Sequence, residues 1–145
     1  MPTTSSLPEL LRARGLRSTP VRRALLARLR EVPGAASAPE LERALGSDRV
    51  TVYRTLNAFE ESGLVHRVHD GSGAEKYALC VGDACGPGGH AHHHAHFRCE
   101  SCERTECLPG GGRGAEVALP AGYVARERIL TYVGRCAACG QNAPA

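Results

Sequence analysis

The stretch Ser37 to Val68, SAPELERALGSDRVTVYRTLNAFEESGLVHRV, decides the fold. It opens with Ser37-Ala38-Pro39-Glu40, a capping box in which a Ser hydroxyl and a Glu carboxylate each satisfy the other residue's backbone N–H. Leu41, Ala44 and Leu45 then recur at helical spacing, and Gly46 ends the run. After Ser47-Asp48 the helical period resumes through Val52, Leu56 and Phe59 within Arg49 to Ser62, and Gly63 closes it. Helix, short turn, helix is the helix-turn-helix arrangement. Leu64 to Val68 and Ala74 to Leu79 follow as strands joined by the turn-forming His69-Asp70-Gly71-Ser72-Gly73. Helices leading into a two-stranded wing predict a winged helix-turn-helix domain.

Working outward, Leu7 to Arg14 is a short amphipathic helix ended by Gly15. Ser18-Thr19-Pro20 opens a second helix, because Pro fits the first helical position where its missing N–H costs nothing. Val21, Leu25, Leu26 and Leu29 share its apolar face, and Pro33-Gly34 stops it. Downstream, Asp83 to Gly89 (DACGPGG) cannot hold regular structure and marks a hinge. His96 to Cys99 and Arg104 to Leu108 are short strand-like pieces, Pro109 to Gly114 is a loop, and Tyr123 to Val133 is rich in β-branched and aromatic residues suited to a strand. The division is therefore 1–82 winged helix, 83–90 hinge and 91–145 a second, metal-binding domain, with an α+β class for the whole.

Charge separates the halves. Residues 1–68 hold 11 Arg against 7 Asp/Glu, whereas residues 69–145 hold 7 Lys/Arg against 8 Asp/Glu. The basic half is the helical half, and arginine suits phosphate and base-edge contacts. On the second helix of the motif, Arg49, Thr51, Tyr53, Arg54 and Asn57 are left for the outer face once the core positions are taken. A Thr methyl or Tyr ring can pack on thymine methyls while Arg reaches guanine or phosphate. Arg22 and Arg23 are phosphate-contact candidates.

The second half is built around metal. Cys99-Glu100-Ser101-Cys102 and Cys136-Ala137-Ala138-Cys139 are two CxxC pairs, which together complete a tetrahedral zinc shell of four thiolates. Neither pair opens a helix in a βαβ context on this reading, which sets aside a thioredoxin-like redox role. Units of 60 to 80 residues often need such a staple. The run His90-Ala91-His92-His93-His94-Ala95-His96 precedes the first pair directly and suits a second, more exchangeable site. Met1 to Pro8 lacks a basic region followed by an apolar run, so the seven cysteines read as cytoplasmic thiols rather than a secreted disulfide framework. No apolar stretch approaches the ~18 residues of a membrane span.

Thr51-Val52-Tyr53-Arg54-Thr55-Leu56, then Gly63-Leu64-Val65, then HHHxH running into HFxCxxC, then a distant CxxC, resembles the ferric uptake regulator family of metal-dependent repressors. The resemblance spans roughly Leu11 to Gly140. It implies a homodimer with winged helices on double-stranded operator DNA and an α/β dimerisation domain in which strands of two chains pair. It singles out Tyr53 and Arg54 for base contacts and likens Arg17 to the basic residue that enters the minor groove. Iron and peroxide sensors of the family carry a His just before the third helix, where this chain has Pro33-Gly34-Ala35-Ala36-Ser37.

The zinc-uptake branch resembles the chain more closely. There the sensing site takes a ligand from the first wing strand and a Cys at the end of the second, where this chain has His66 and Tyr77-Ala78-Leu79-Cys80. The resemblance thus implies a regulatory zinc on His66, Cys80, His94 and His96, beside the structural zinc on Cys99, Cys102, Cys136 and Cys139. A His/Cys set is borderline-soft and fits Zn(II), while Fe(II) and Mn(II) sites usually include carboxylate. A further site of many relatives is absent or rebuilt, because Ala95 and Arg128 stand where it has an acidic residue and a His. Cys85, His90, His92, His93, Glu106 and Cys107 remain as additional ligand candidates, with Cys107 read first as a strand residue.

The expected function is a zinc-responsive repressor of metal-uptake genes. The alternatives are an iron, manganese or peroxide sensor of the same family, and a metal chaperone or store that uses the His run. An enzyme is not expected: a zinc deaminase needs an H-x-E string, and none is present.

Overall fold

The computed structural model describes residues 5–32, 34–80, 95–108, 117–126 and 128–141. The hinge at 83–90, most of the His run and the loop at 109–114 lie outside the described residues. The elements are α1 (Leu7–Ala13), α2 (Pro20–Glu31), β1 (Ala36–Ser37), α3 (Ala38–Leu45), α4 (Arg49–Glu61), β2 (Val65–Val68), β3 (Lys76–Leu79), β4 (Ala95–Cys99), β5 (Thr105–Leu108), β6 (Thr131–Gly134) and α5 (Ala137–Gln141).

Each of the first four helices starts on a side-chain cap. Ser6 and Ser37 form reciprocal capping boxes with Glu9 and Glu40, while Thr19 and Asp48 cap α2 and α4. Such caps contribute about 1 kcal/mol each. Gly46 takes the left-handed conformation at φ 65° that lets α3 turn into α4. Leu11, Leu25, Leu26, Leu29, Leu41, Val52, Leu56, Phe59, Val65 and Tyr77 form one buried cluster beneath the helices and the wing. The large side chains of that cluster supply roughly 1.5–3 kcal/mol apiece, which is what holds α4 with its other face outward.

The wing is the antiparallel pair β2–β3, in register Val65↔Leu79 and His66↔Ala78. A third strand that the sequence pattern does not announce, β1, pairs with β3 through Ala36↔Tyr77 and gives the order β1-β3-β2. The second sheet has the order β5-β4-β6, with β4–β5 antiparallel and β4–β6 parallel. The parallel register sets Cys99 opposite Gly134, which draws the two CxxC segments to one end of the sheet.

Two expectations need correction. The strand expected over Tyr123 to Val133 is confined to Thr131–Gly134; Tyr123 closes a turn on Pro120, and Tyr123 and Val124 are exposed. Among the described residues, Thr131–Gly134 is the part of this stretch that lies beside a strand, β4, and pairs with it. The second CxxC also does open a helix, since α5 begins directly after Cys136. That helix is one short turn after β6 and joins no pair of parallel strands, so the redox context is still missing among the described residues.

Candidate metal centres and nucleic-acid interface

Cys99 ends β4, Cys102 lies in the following turn, Cys136 precedes α5 and Cys139 lies within it. Their four sulfurs lie within 4.8 Å of one another, and Cys102 Sγ stands 3.8 Å from Cys136 Sγ. A tetrahedron with Zn–S bonds of ~2.3 Å has edges of roughly 3.8 Å, so the donor set fits zinc. The knuckle is shaped by Glu103, whose φ of 61° is unusual for a residue with a side chain, and by the Glu103 N–H bonding the Cys99 carbonyl at 3.0 Å. Backbone N–H groups of Cys102 and Cys136 pull the Cys99 thiol down to about 6, favouring the thiolate a metal requires.

A second cluster joins the two sheets. His66 of β2 is 1% exposed, and its Nε2 lies 3.2 Å from Cys107 Sγ of β5 and 3.5 Å from His96 Nε2 of β4. These three residues bring their donor atoms within 4.8 Å of one another. His96 and Cys107 are direct cross-strand partners, so both side chains leave the same face of the sheet. Burial pushes the Cys107 thiol up to about 11. The borderline-soft N/N/S set suits tetrahedral zinc better than a carboxylate-preferring ion.

The remaining ligand candidates divide as follows. Cys80 Sγ sits 3.5 Å from His66 Nδ1, on the opposite side of the ring from Cys107, and its sulfur is engaged in a disulfide in this structure. His94, His90, His92, His93 and Cys85 lie outside the described residues. Glu106 points away from the cluster and pairs with Arg104 at 3.3 Å. Cys107 is the donor that sequence reasoning sets second. The signal for it is the hairpin about the first CxxC: a turn that pairs Arg98 with Thr105 necessarily pairs His96 with Cys107.

On α4, Arg49, Arg54 and Asn57 are exposed, and Arg49 is loosely paired with Glu42 at 3.7 Å. Thr51 is drawn into the helix cap: its N–H and Oγ1 both donate to Asp48. Tyr53 is half-buried and packs on the core cluster. Val50, which sequence reasoning passes over, is 56% exposed beside Arg49. An apolar side chain there has no packing role, but it suits a thymine methyl. Arg17 is exposed, whereas Arg22 reaches back to the Arg17 carbonyl at 3.0 Å and Arg23 to Ser18 Oγ at 3.0 Å, so these two brace the entry to α2. No helix among the described residues is long and apolar enough to cross a membrane.

Comparison with known proteins places these features together. The Ferric uptake regulator family matches residues 13–108. The zinc uptake regulation protein of Mycobacterium tuberculosis is 32% identical over 137 residues, covering 88% of this chain and 97% of that protein. A solved zinc uptake regulator complexed with zinc and DNA superposes with a TM-score of 0.63 at 27% identity, over 95% of this chain and 97% of that one. The Vibrio cholerae ferric uptake regulator gives a TM-score of 0.55 at 24% identity, over 89% and 98%, and so shares the fold.

Proposed function

Because the chain belongs to the ferric uptake regulator family, we propose that it is a zinc-responsive repressor that binds operator DNA as a zinc-loaded homodimer and silences metal-uptake genes. Membership makes it a metal-responsive, DNA-binding transcription regulator and not an enzyme. The choice of zinc rests on one observation: His66, His96 and Cys107 converge with nitrogen and sulfur donors alone. The zinc uptake regulators that resemble the chain support the same choice.

We assign residues 1–82 to the DNA-binding domain, 83–90 to the hinge and 91–145 to dimerisation and metal binding. Structural zinc is held by Cys99, Cys102, Cys136 and Cys139. Regulatory zinc is held by His66, His96 and Cys107, with His94, two residues before His96, as the sequence's candidate for the fourth ligand. Cys80 stands at the other ring nitrogen of His66, Nδ1, and so lies outside this donor set. Bound there, zinc supplies a cross-link between the wing and the second sheet. His66 carries that link to β2, and β2 follows α4 directly, so the orientation of the recognition helix depends on whether the three donors are held together. Arg49, Val50, Arg54 and Asn57, with the partly covered Tyr53, would then face base edges, and Arg17 the phosphates or minor groove.

The homodimer has a surface to use: Val117, Tyr123, Val124, Ile129, Tyr132 and Val133 are all about half exposed or more, and β6 is an edge strand of its sheet. A DNA-binding regulator with thiol ligands belongs in the cytoplasm. Zinc analysis tests this reading: two zinc ions per chain are expected, one removable by a mild chelator, with sequence-specific DNA binding lost and regained alongside it. Unchanged DNA binding on removal of the labile ion would overturn it.

A further inference from the structure

Thr105, the first residue of β5, is 1% exposed, and contacts from the wing half converge on it. Its carbonyl accepts the Ala35 N–H at 2.7 Å. The same carbonyl crowds Gly34 so closely that a Cβ there would stand 1.8 Å from the oxygen, and Gly34 holds φ at 99°. Thr105 Oγ1 donates to Asp70 Oδ2 at 2.6 Å and accepts from Lys76 Nζ at 3.2 Å. Lys76 Nζ pairs with Asp70 Oδ2 at 2.6 Å and reaches the Glu103 carbonyl at 3.4 Å. Arg98 Nε on the Asp70 carbonyl at 2.8 Å and Thr131 Oγ1 on the His69 carbonyl at 2.9 Å extend the seam to β4 and β6.

None of these groups belongs to either metal cluster. Asp70 and Lys76 are both buried, and a buried ion pair is tolerated only when its geometry and remaining hydrogen bonds are fully supplied. Burial alone would push the Asp70 carboxyl up; hydrogen bonds from Lys76, Ser72 and Thr105 overcome that and hold it well below the usual carboxylate range. A satisfied buried network of this kind has one arrangement, so it acts on geometry. Thr105 and Cys107 are alternate residues of β5 and share a face. Fixing Thr105 against Gly34, Ala35 and Asp70 therefore fixes Cys107 in front of His66.

We propose that Thr105, with Asp70 and Lys76, is a positioning clasp that closes the wing onto the second sheet before the regulatory ion binds, and so sets the zinc affinity of His66, His96 and Cys107. The inference rests on the regulatory site assigned above. A site whose competent arrangement is populated only part of the time binds more weakly in proportion to that fraction. Opening the clasp should therefore weaken the regulatory site and leave the four-cysteine site alone.

Two measurements on the full chain carrying its structural zinc decide it. In the parent, without the regulatory ion, the Ala35 amide should already exchange slowly with solvent deuterium. Competition with a chromophoric chelator should show Thr105→Val binding the second zinc about 5- to 150-fold more weakly, the range of ordinary coupling between sites, with Thr105→Ser restoring it. The clasp is overturned if the parent's Ala35 amide exchanges like an exposed one until the second zinc is added. It is also overturned if folded Thr105→Val matches the parent's second-site affinity. Should Thr105→Val fail to fold, the Ala35 exchange in the parent still decides. A parent that takes up no second zinc removes the regulatory site, and the clasp's role with it; a loss confined to Thr105→Val leaves the regulatory site standing and supports the clasp.

Discussion

His66 Nε2 lies 3.2 Å from Cys107 Sγ, although the two residues belong to different sheets. His66 is almost fully buried, and its ring is engaged from both sides, by Cys107 and His96 of the second sheet and by Cys80 at the end of the wing. An imidazole nitrogen offers one lone pair to one ion, and the two sulfurs near this ring sit at opposite nitrogens: Cys107 at Nε2 and Cys80 at Nδ1. His96 approaches from the Nε2 side as well. Among the described residues, the donors therefore accumulate on the Cys107 side.

Replacing Cys107 by Ser should raise the free zinc needed for specific DNA binding, by more than the roughly 10- to 100-fold that loss of an outer-shell partner costs. Cys80→Ser should raise it less, and both variants should keep their structural zinc. Zinc-buffered DNA binding, compared across the parent and the two variants, checks the order. A Cys80 effect larger than the Cys107 effect would move the site to the Nδ1 side of His66.

Replacing Cys102 or Cys136 by Ser leaves three thiolates around a shell that needs four donors. Zinc binding at such a site is part of the folding free energy. Metal analysis and sedimentation should show zinc loss together with aggregation or loss of the dimer; a zinc-free, well-folded dimer would contradict the structural role.

Arg54→Ala should cost about 1–3 kcal/mol on a specific duplex if the guanidinium reads a guanine, with little loss on random DNA. Arg17→Ala should weaken both alike and lower the salt slope by about one unit. Binding to both duplexes across a salt series separates reading from positioning.

Much of the fold is legible in the sequence because its signals are local. Ser37 and Glu40 announce the start of α3, and Gly46 its end. Val52, Leu56 and Phe59 fix which face of α4 is buried, leaving Arg54 and Asn57 outward. What stays hidden depends on long-range register. The strand β1 exists because Ala36 meets Tyr77, and among the described residues the strand expected from Tyr123 is confined to Thr131–Gly134, where β6 meets β4. Cys107 reads as a strand residue because its role is set by His66, far away in sequence and carried by another sheet. Helical spacing turns Thr51 outward as a base contact, but the short bond to Asp48 draws its hydroxyl back to the helix cap. The four cysteines are legible because CxxC spacing alone brings two sulfurs to one side of an ion.

The most direct test titrates an operator duplex, selected from a randomised pool by the zinc-loaded protein, against buffered free zinc while the four-cysteine site stays filled. Fe(II) and Mn(II) are titrated in parallel. Specific affinity should switch on over a narrow range of free zinc, with Fe(II) and Mn(II) far less effective at equal free concentration. Affinity indifferent to zinc, or activated by Fe(II) or Mn(II) where zinc is silent, would contradict it.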